Sequence, residues 1–199
     1  YDFQVITGIG YQSQLLIGDE TEDIGAGLGL ALDLEYGNFF IESGRSSRAS
    51  AVLGRVYLGY HWWSDDNSAV DIVGGNYAVY IGRNDRKGDS VAERVNLKTR
   101  QIDSSLGIRY SYVNRSLFFS TDLVRDILGN SHQGWIVDSY FGQLLAFGNW
   151  DIGYGIGHTW YSSRTSNYYL GVEPEEVAPG LTSYSTTPAY SFSLELSSK

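Results

Sequence analysis

The sequence predicts an all-β protein, an antiparallel transmembrane β-barrel of ten visible strands, and three observations carry that prediction. The first is the stretch from Ile24 to Tyr36, which alternates without an error. One face carries Ile24, Ala26, Leu28, Leu30, Leu32, Leu34 and Tyr36; the other carries Gly25, Gly27, Gly29, Ala31, Asp33 and Glu35. A period of two means a strand. At about 3.3 Å per residue this one spans roughly 40 Å, enough to cross a bilayer with tilt. Its aliphatic face ends on a tyrosine, as a lipid-facing strand does at the headgroups.

The second observation is composition. The 199 residues include 24 Gly, 16 Tyr and three Pro, with no Cys and no Met. Abundant Tyr and Gly without any run of 18 apolar residues favours membrane strands over membrane helices. The absence of cysteine fits a chain that crosses an oxidising periplasm unfolded. Starting at Tyr1 with no leader, the chain reads as a mature form from which a signal peptide has been removed. A net charge of −9 argues against a nucleic-acid partner, which needs a basic footprint. One domain covering 1–199 is expected, because no linker interrupts the pattern.

The third observation is the alternation of connection lengths. Turns near 37, 65, 114 and 149 are short, whereas 12–23, 83–100 and 162–188 are long, with modest segments near 45–50 and 127–133. Short turns on one side and longer loops on the other is the arrangement of an outer-membrane barrel. It predicts a periplasmic N-terminus and five external loops.

In chain order, residues 3–11 set Phe3, Val5, Thr7, Ile9 and Tyr11 on one face, before the 24–36 strand. Tyr36-Gly37-Asn38 turns into Phe39–Ser43. Residues 51–63 put Val52, Val56, Leu58, Tyr60 and Trp62 outward, and in 71–82 Val73, Tyr77, Val79 and Ile81 share a face. Residues 102–112 set Ile102, Leu106, Ile108, Tyr110 and Tyr112 outward, and Leu117, Phe119, Thr121 and Leu123 continue after the turn at 114. Residues 135–147 point Trp135, Val137, Phe141, Leu145 and Phe147 outward. The next strand points Trp150, Ile152, Tyr154, Ile156, His158 and Trp160 outward, and the last carries Tyr190, Phe192, Leu194 and Leu196. Tyr36, Trp62, Trp63, Trp135, Trp150 and Trp160 are the expected interfacial aromatics.

The parts, in this order, resemble the MipA/OmpV family of Gram-negative outer-membrane proteins. The resemblance rests on Tyr1-Asp2-Phe3 leading to Gly8-Ile9-Gly10-Tyr11, on Leu32-Asp33-Leu34-Glu35-Tyr36-Gly37-Asn38-Phe39-Phe40, and on Gly153-Tyr154-Gly155-Ile156-Gly157-His158-Thr159-Trp160-Tyr161 followed by Asn167-Tyr168-Tyr169-Leu170-Gly171-Val172. It implies a scaffold that docks periplasmic murein hydrolases and synthases, a lytic transglycosylase and a penicillin-binding protein, at the outer membrane. Such proteins close with a further hairpin and a terminal aromatic residue. This sequence stops at Glu195-Leu196-Ser197-Ser198-Lys199, so the total is ten strands, or twelve with a hairpin beyond it.

By the alternation, Asp33, Glu35, Glu42, Asp103, Asp122, Asp138, Asp151 and Glu195 point inward against Arg55 and Arg109. A water-filled lumen of that make-up would prefer cations, the basis of a porin-like alternative. A small barrel is mostly filled by its own side chains, so a hydrogen-bonded plug is the preferred reading. Arg83, Arg86, Lys87, Arg94, Lys98 and Arg100 crowd one loop and are candidates for lipopolysaccharide phosphate; a solvated loop is the alternative, and loops 83–100 and 162–188 would serve a surface adhesin. The acidic runs Asp19–Asp23 and Glu173–Glu176 lack the spacing of a calcium loop and are expected at the surface. No metal and no cofactor is implied. His158 lies in the lipid-facing register, His61 is inward beside Trp62, and Ser131-His132 falls in a short loop. None has the spacing of a nucleophile motif, so no enzymatic activity is expected.

Overall fold

The structure, a computed structural model, describes residues 2–12, 23–43, 56–78, 100–148, 150–177 and 182–198. It is all-β and antiparallel, the class that the alternation predicts. Ten strands form one sheet in chain order, each hydrogen-bonded to the next. They are β1 (Asp2–Gln12), β2 (Asp23–Tyr36), β3 (Phe39–Ser43), β4 (Val56–Ser64), β5 (Ser68–Gly75), β6 (Ser105–Asn114), β7 (Leu117–Asp126), β8 (Trp135–Phe147), β9 (Trp150–Tyr161) and β10 (Ala189–Ser198). No described helix is long and apolar enough to cross a membrane.

Two hairpins turn on glycines held at positive φ, Gly37 and Gly148, where a side chain would be strained. Between β4 and β5 the register slips by one residue at Trp62, a bulge. The extra residue lets Trp62 and Trp63 both stand exposed on the outer face, which strict alternation forbids.

The sheet is rolled. Glu42 on β3 and Arg109 on β6 are three strands apart, about 14 Å along a flat sheet, yet their side chains meet at 2.6 Å. The concave side carries Phe40, Tyr57, Val73, Val124 and Ile136, all buried, while Leu58, Ile72, Leu106, Ile108, Leu123, Phe141 and Ile156 are exposed on the convex side. Interior rings lie where neighbouring strands carry glycine. A Cβ on Gly59 would run into the ring of Phe40, and one on Gly155 into Tyr140. The small inward residues therefore make room for aromatic packing.

Three boundaries differ from the sequence reading, and one cause explains two of them. The strand read over 71–82 ends at Gly75, and the one read over 102–112 starts at Ser105. Between them the Asp103 carboxylate accepts the backbone N–H groups of Tyr77 and Ala78, which replaces the ladder. Val73 and Tyr77 share the buried side; Val79 and Ile81 lie outside the described residues. The third difference is a helix, α1 (Ser163–Leu170), inside the segment read as a long loop.

Candidate functional site

The interior and its loop-end cap hold most of the buried polar groups. Across seven strands, direct cross-strand neighbours form one inward row: His61, Asp71, Arg109, Asp122, Asp138, Thr159 and Ser191. Arg109 is its hub. Nε and Nη2 donate to the two Asp122 oxygens at 2.9 Å each, and Nη1 donates to Glu42 at 2.6 Å. Tyr77 donates its hydroxyl to Asp122 at 2.8 Å, and the guanidinium also lies over the Tyr57 ring. Arg109 and Asp122 are both 0% exposed. A bidentate fork with a third donor engaged by a second carboxylate is the geometry that makes a buried charge tolerable. Asp138 is buried and accepts from Thr159 at 3.1 Å.

At the loop end, residues far apart in sequence are tied together. Arg100 grips Glu176 with two bonds of 2.7 and 2.8 Å beneath the Tyr168 ring, and Glu176 is 0% exposed. Glu176 closes a capping box on a short 3-10 turn, Pro174–Glu176, begun by a proline at its start. Tyr168 accepts the Gln101 N–H and Tyr169 donates to the Gln101 carbonyl. α1 is N-capped by Ser162, whose hydroxyl also takes the Trp135 N–H at 2.9 Å. Asp126 holds the β7–β8 loop by accepting from Gln133 N–H, Leu128 N–H and the Ser131 hydroxyl.

Asp103 sits at the centre of this cap. Burial pushes its carboxyl up, but the interaction with His132 and hydrogen bonds from Ser105, Ala78 and Tyr77 outweigh it and hold it below the ordinary carboxylate range. Burial, followed by the Asp103 charge, pushes the Tyr169 hydroxyl well up. His132 is buried with Nδ1 accepting the Gly134 N–H at 2.9 Å, and Nε2 stands 3.9 Å from Asp103. Thr165 contacts the same Nδ1 at 3.1 Å. The ring is a strut between β8, α1 and Asp103, with its basic nitrogen already capped.

The turn end is different. His61 bonds Asp71 at 2.8 Å and approaches Glu35 at 3.9 Å, stacked on Phe40, and both His61 and Glu35 keep substantial solvent contact. Tyr36 is 88% exposed. His158 lies on the outer face between Tyr190 and Phe192.

Among the charged groups assigned to the interior, Glu35, Glu42, Asp103, Arg109, Asp122 and Asp138 therefore lie on the concave side, Glu35 at its open mouth. Arg55 is outside the described residues, as are the side chains of Asp33, Asp151 and Glu195. Of the loop cations, Arg83, Arg86, Lys87, Arg94 and Lys98 lie outside the described residues. Arg100 does not suit a lipopolysaccharide phosphate, because its guanidinium is buried and paired with Glu176. Glu176 likewise leaves the acidic run expected at the surface. Trp62, Trp63 and Trp135 are exposed and Trp160 partly so; the Trp150 side chain is outside the described set.

The family profile described as MltA-interacting protein MipA matches residues 6–199. The chain belongs to the MipA family. No curated protein and no solved structure matches it. The match spans most of β1, the other nine strands and the cap, so the family assignment covers the packed interior as well as the outer face.

Proposed function

We propose that this MipA-family chain is an outer-membrane barrel with a packed interior that serves as a docking scaffold for a murein-remodelling enzyme, in the first place a lytic transglycosylase of the MltA type. The family match over 6–199 carries the reading. The interior supports it: Glu42, Asp122 and Asp138, which could line a cation path, are buried in ion pairs and hydrogen bonds. A scaffold has no need of a water-filled lumen. The convex belt of exposed aliphatic and aromatic side chains supports membrane insertion.

With the loops outside, the turn end faces the periplasm and presents the docking surface. Tyr36, Asn38, Asp65, Asp66, Asn67 and Arg115 are exposed there. Purified MltA-type transglycosylase should be retained by the immobilised, folded protein at micromolar concentration, and retention should fall when Tyr36 and the 65–67 turn are replaced. No retention overturns the scaffold reading. In a planar bilayer the folded protein should be silent; steady, cation-selective conductance would put the channel in its place.

A further inference from the structure

We infer that Arg125 and Trp135 form a binding point on the outer wall for the phosphomonoester of a lipopolysaccharide headgroup. The inference rests on the outer-membrane reading and deepens it. It starts from an anomaly of charge. Among the strand residues whose side chains are described, the convex face carries one Asp, Glu, Lys or Arg, and it is Arg125. Its register neighbours are Leu106 and Trp135, both exposed. The guanidinium lies over the Trp135 ring at 5.7 Å, and no carboxylate among the described residues pairs with it.

An unpaired cation on an apolar wall is costly in hydrocarbon and favourable at headgroup level. Arg125 sits at that level. It is one residue from the loop end of β7, and beyond it Ile127 and Leu128 are exposed. Stacking on Trp135 orients the fork and leaves its donors free for an anion. α1 begins on the same rim: Ser162, its cap, bonds the Trp135 N–H and takes the Trp135 carbonyl with its own N–H. The first turn of α1 holds exposed Arg164 and no acidic residue. A phosphomonoester carries about −1.5 to −2 charge near neutral pH and three acceptor oxygens. It therefore suits a guanidinium better than the single charge of a phosphodiester.

The test is native mass spectrometry of the full chain in detergent with diphosphoryl lipid A, phosphatidylglycerol or phosphatidylcholine added, alongside insertion into phosphatidylcholine vesicles. Wild type should retain lipid A in preference to the other two. Arg125→Gln should lose that retention about tenfold or more, and Arg125→Lys should keep part of it, with insertion of both variants unchanged. Equal retention by wild type and Arg125→Gln overturns the inference alone, as does equal retention of phosphatidylglycerol and lipid A. Failure of the wild type to insert into any vesicle overturns the outer-membrane reading and this site with it.

Discussion

The two ends of the rolled sheet are built on opposite principles. The turn end is closed by two- and three-residue turns whose geometry is local, with glycine at positive φ in two of them and Asp65 accepting from Asn67 and Ser68 in a third. The ionic cluster described there joins buried Asp71 to a half-exposed His61 and an exposed Glu35. The loop end is held by contacts between residues up to 76 positions apart, and the charges that hold it, Arg100, Asp103, Asp126 and Glu176, are buried. Short turns hold themselves, whereas long loops stay in place only if their polar groups find partners in one another. The difference predicts where charge removal hurts.

The largest effect belongs to Arg109, which lies between the ends. Arg109→Leu leaves Glu42 and Asp122 buried without their cation and should cost about 3–5 kcal/mol, read as a lower urea midpoint for the whole sheet. A loss confined to the loop end would break the division drawn here. Glu176→Gln strands the Arg100 charge and should cost a similar or slightly smaller amount, about 3 kcal/mol, but only locally. Amide exchange should rise across α1 and the 3-10 turn while β2–β5 stay protected.

Asp103→Asn should cost about 1–3 kcal/mol of cap stability. Because the folded carboxyl titrates below its ordinary value of 3.8, its contribution is present above that value and lost as pH falls through the lower, folded one. Wild-type α1 amides should therefore remain protected down to the ordinary carboxylate range and open only below it; the Asn variant should lack that acid transition. The smallest effect is expected at the turn end. Glu35→Gln, which removes the exposed member of the cluster, should change stability by about 0.2–1 kcal/mol, measured by the same denaturant midpoint. A larger loss would mean that the turn end, too, depends on its ions.

The same contrast separates what the sequence discloses from what it hides. The wall is legible because alternation is a local signal: the outward sets Leu106, Ile108, Tyr110 and Val56, Leu58, Tyr60 can be read without knowing a single tertiary contact. The bulge at Trp62 is nearly legible, since two adjacent tryptophans at a strand end cannot both face lipid in a regular ladder. The cap is not. Arg100 looks like one more cation in a basic loop, and Glu176 like one more acid, until the fold brings position 100 to position 176. Two signals were available: Ser162 before an eight-residue stretch free of Gly and Pro, and Glu173-Pro174-Glu175-Glu176, a proline-started capping box. Tyr77 is legible as sharing a face with Val73, but not as lying past the end of the ladder. Its turn inward depends on the Asp103 carboxylate binding its N–H from 26 residues away.

Arg109 also bears on the order of assembly. Every ladder in the sheet joins chain neighbours, so the meander can grow one hairpin at a time with small loop-closure cost. The Arg109–Asp122 fork belongs to such a hairpin, its members 13 residues apart, and forms when β6 meets β7. The bond to Glu42 spans 67 residues and three strands, and it exists only after the sheet has rolled. Arg109 is thus engaged twice: first as a staple of its hairpin, and later as the latch that records closure of the curve.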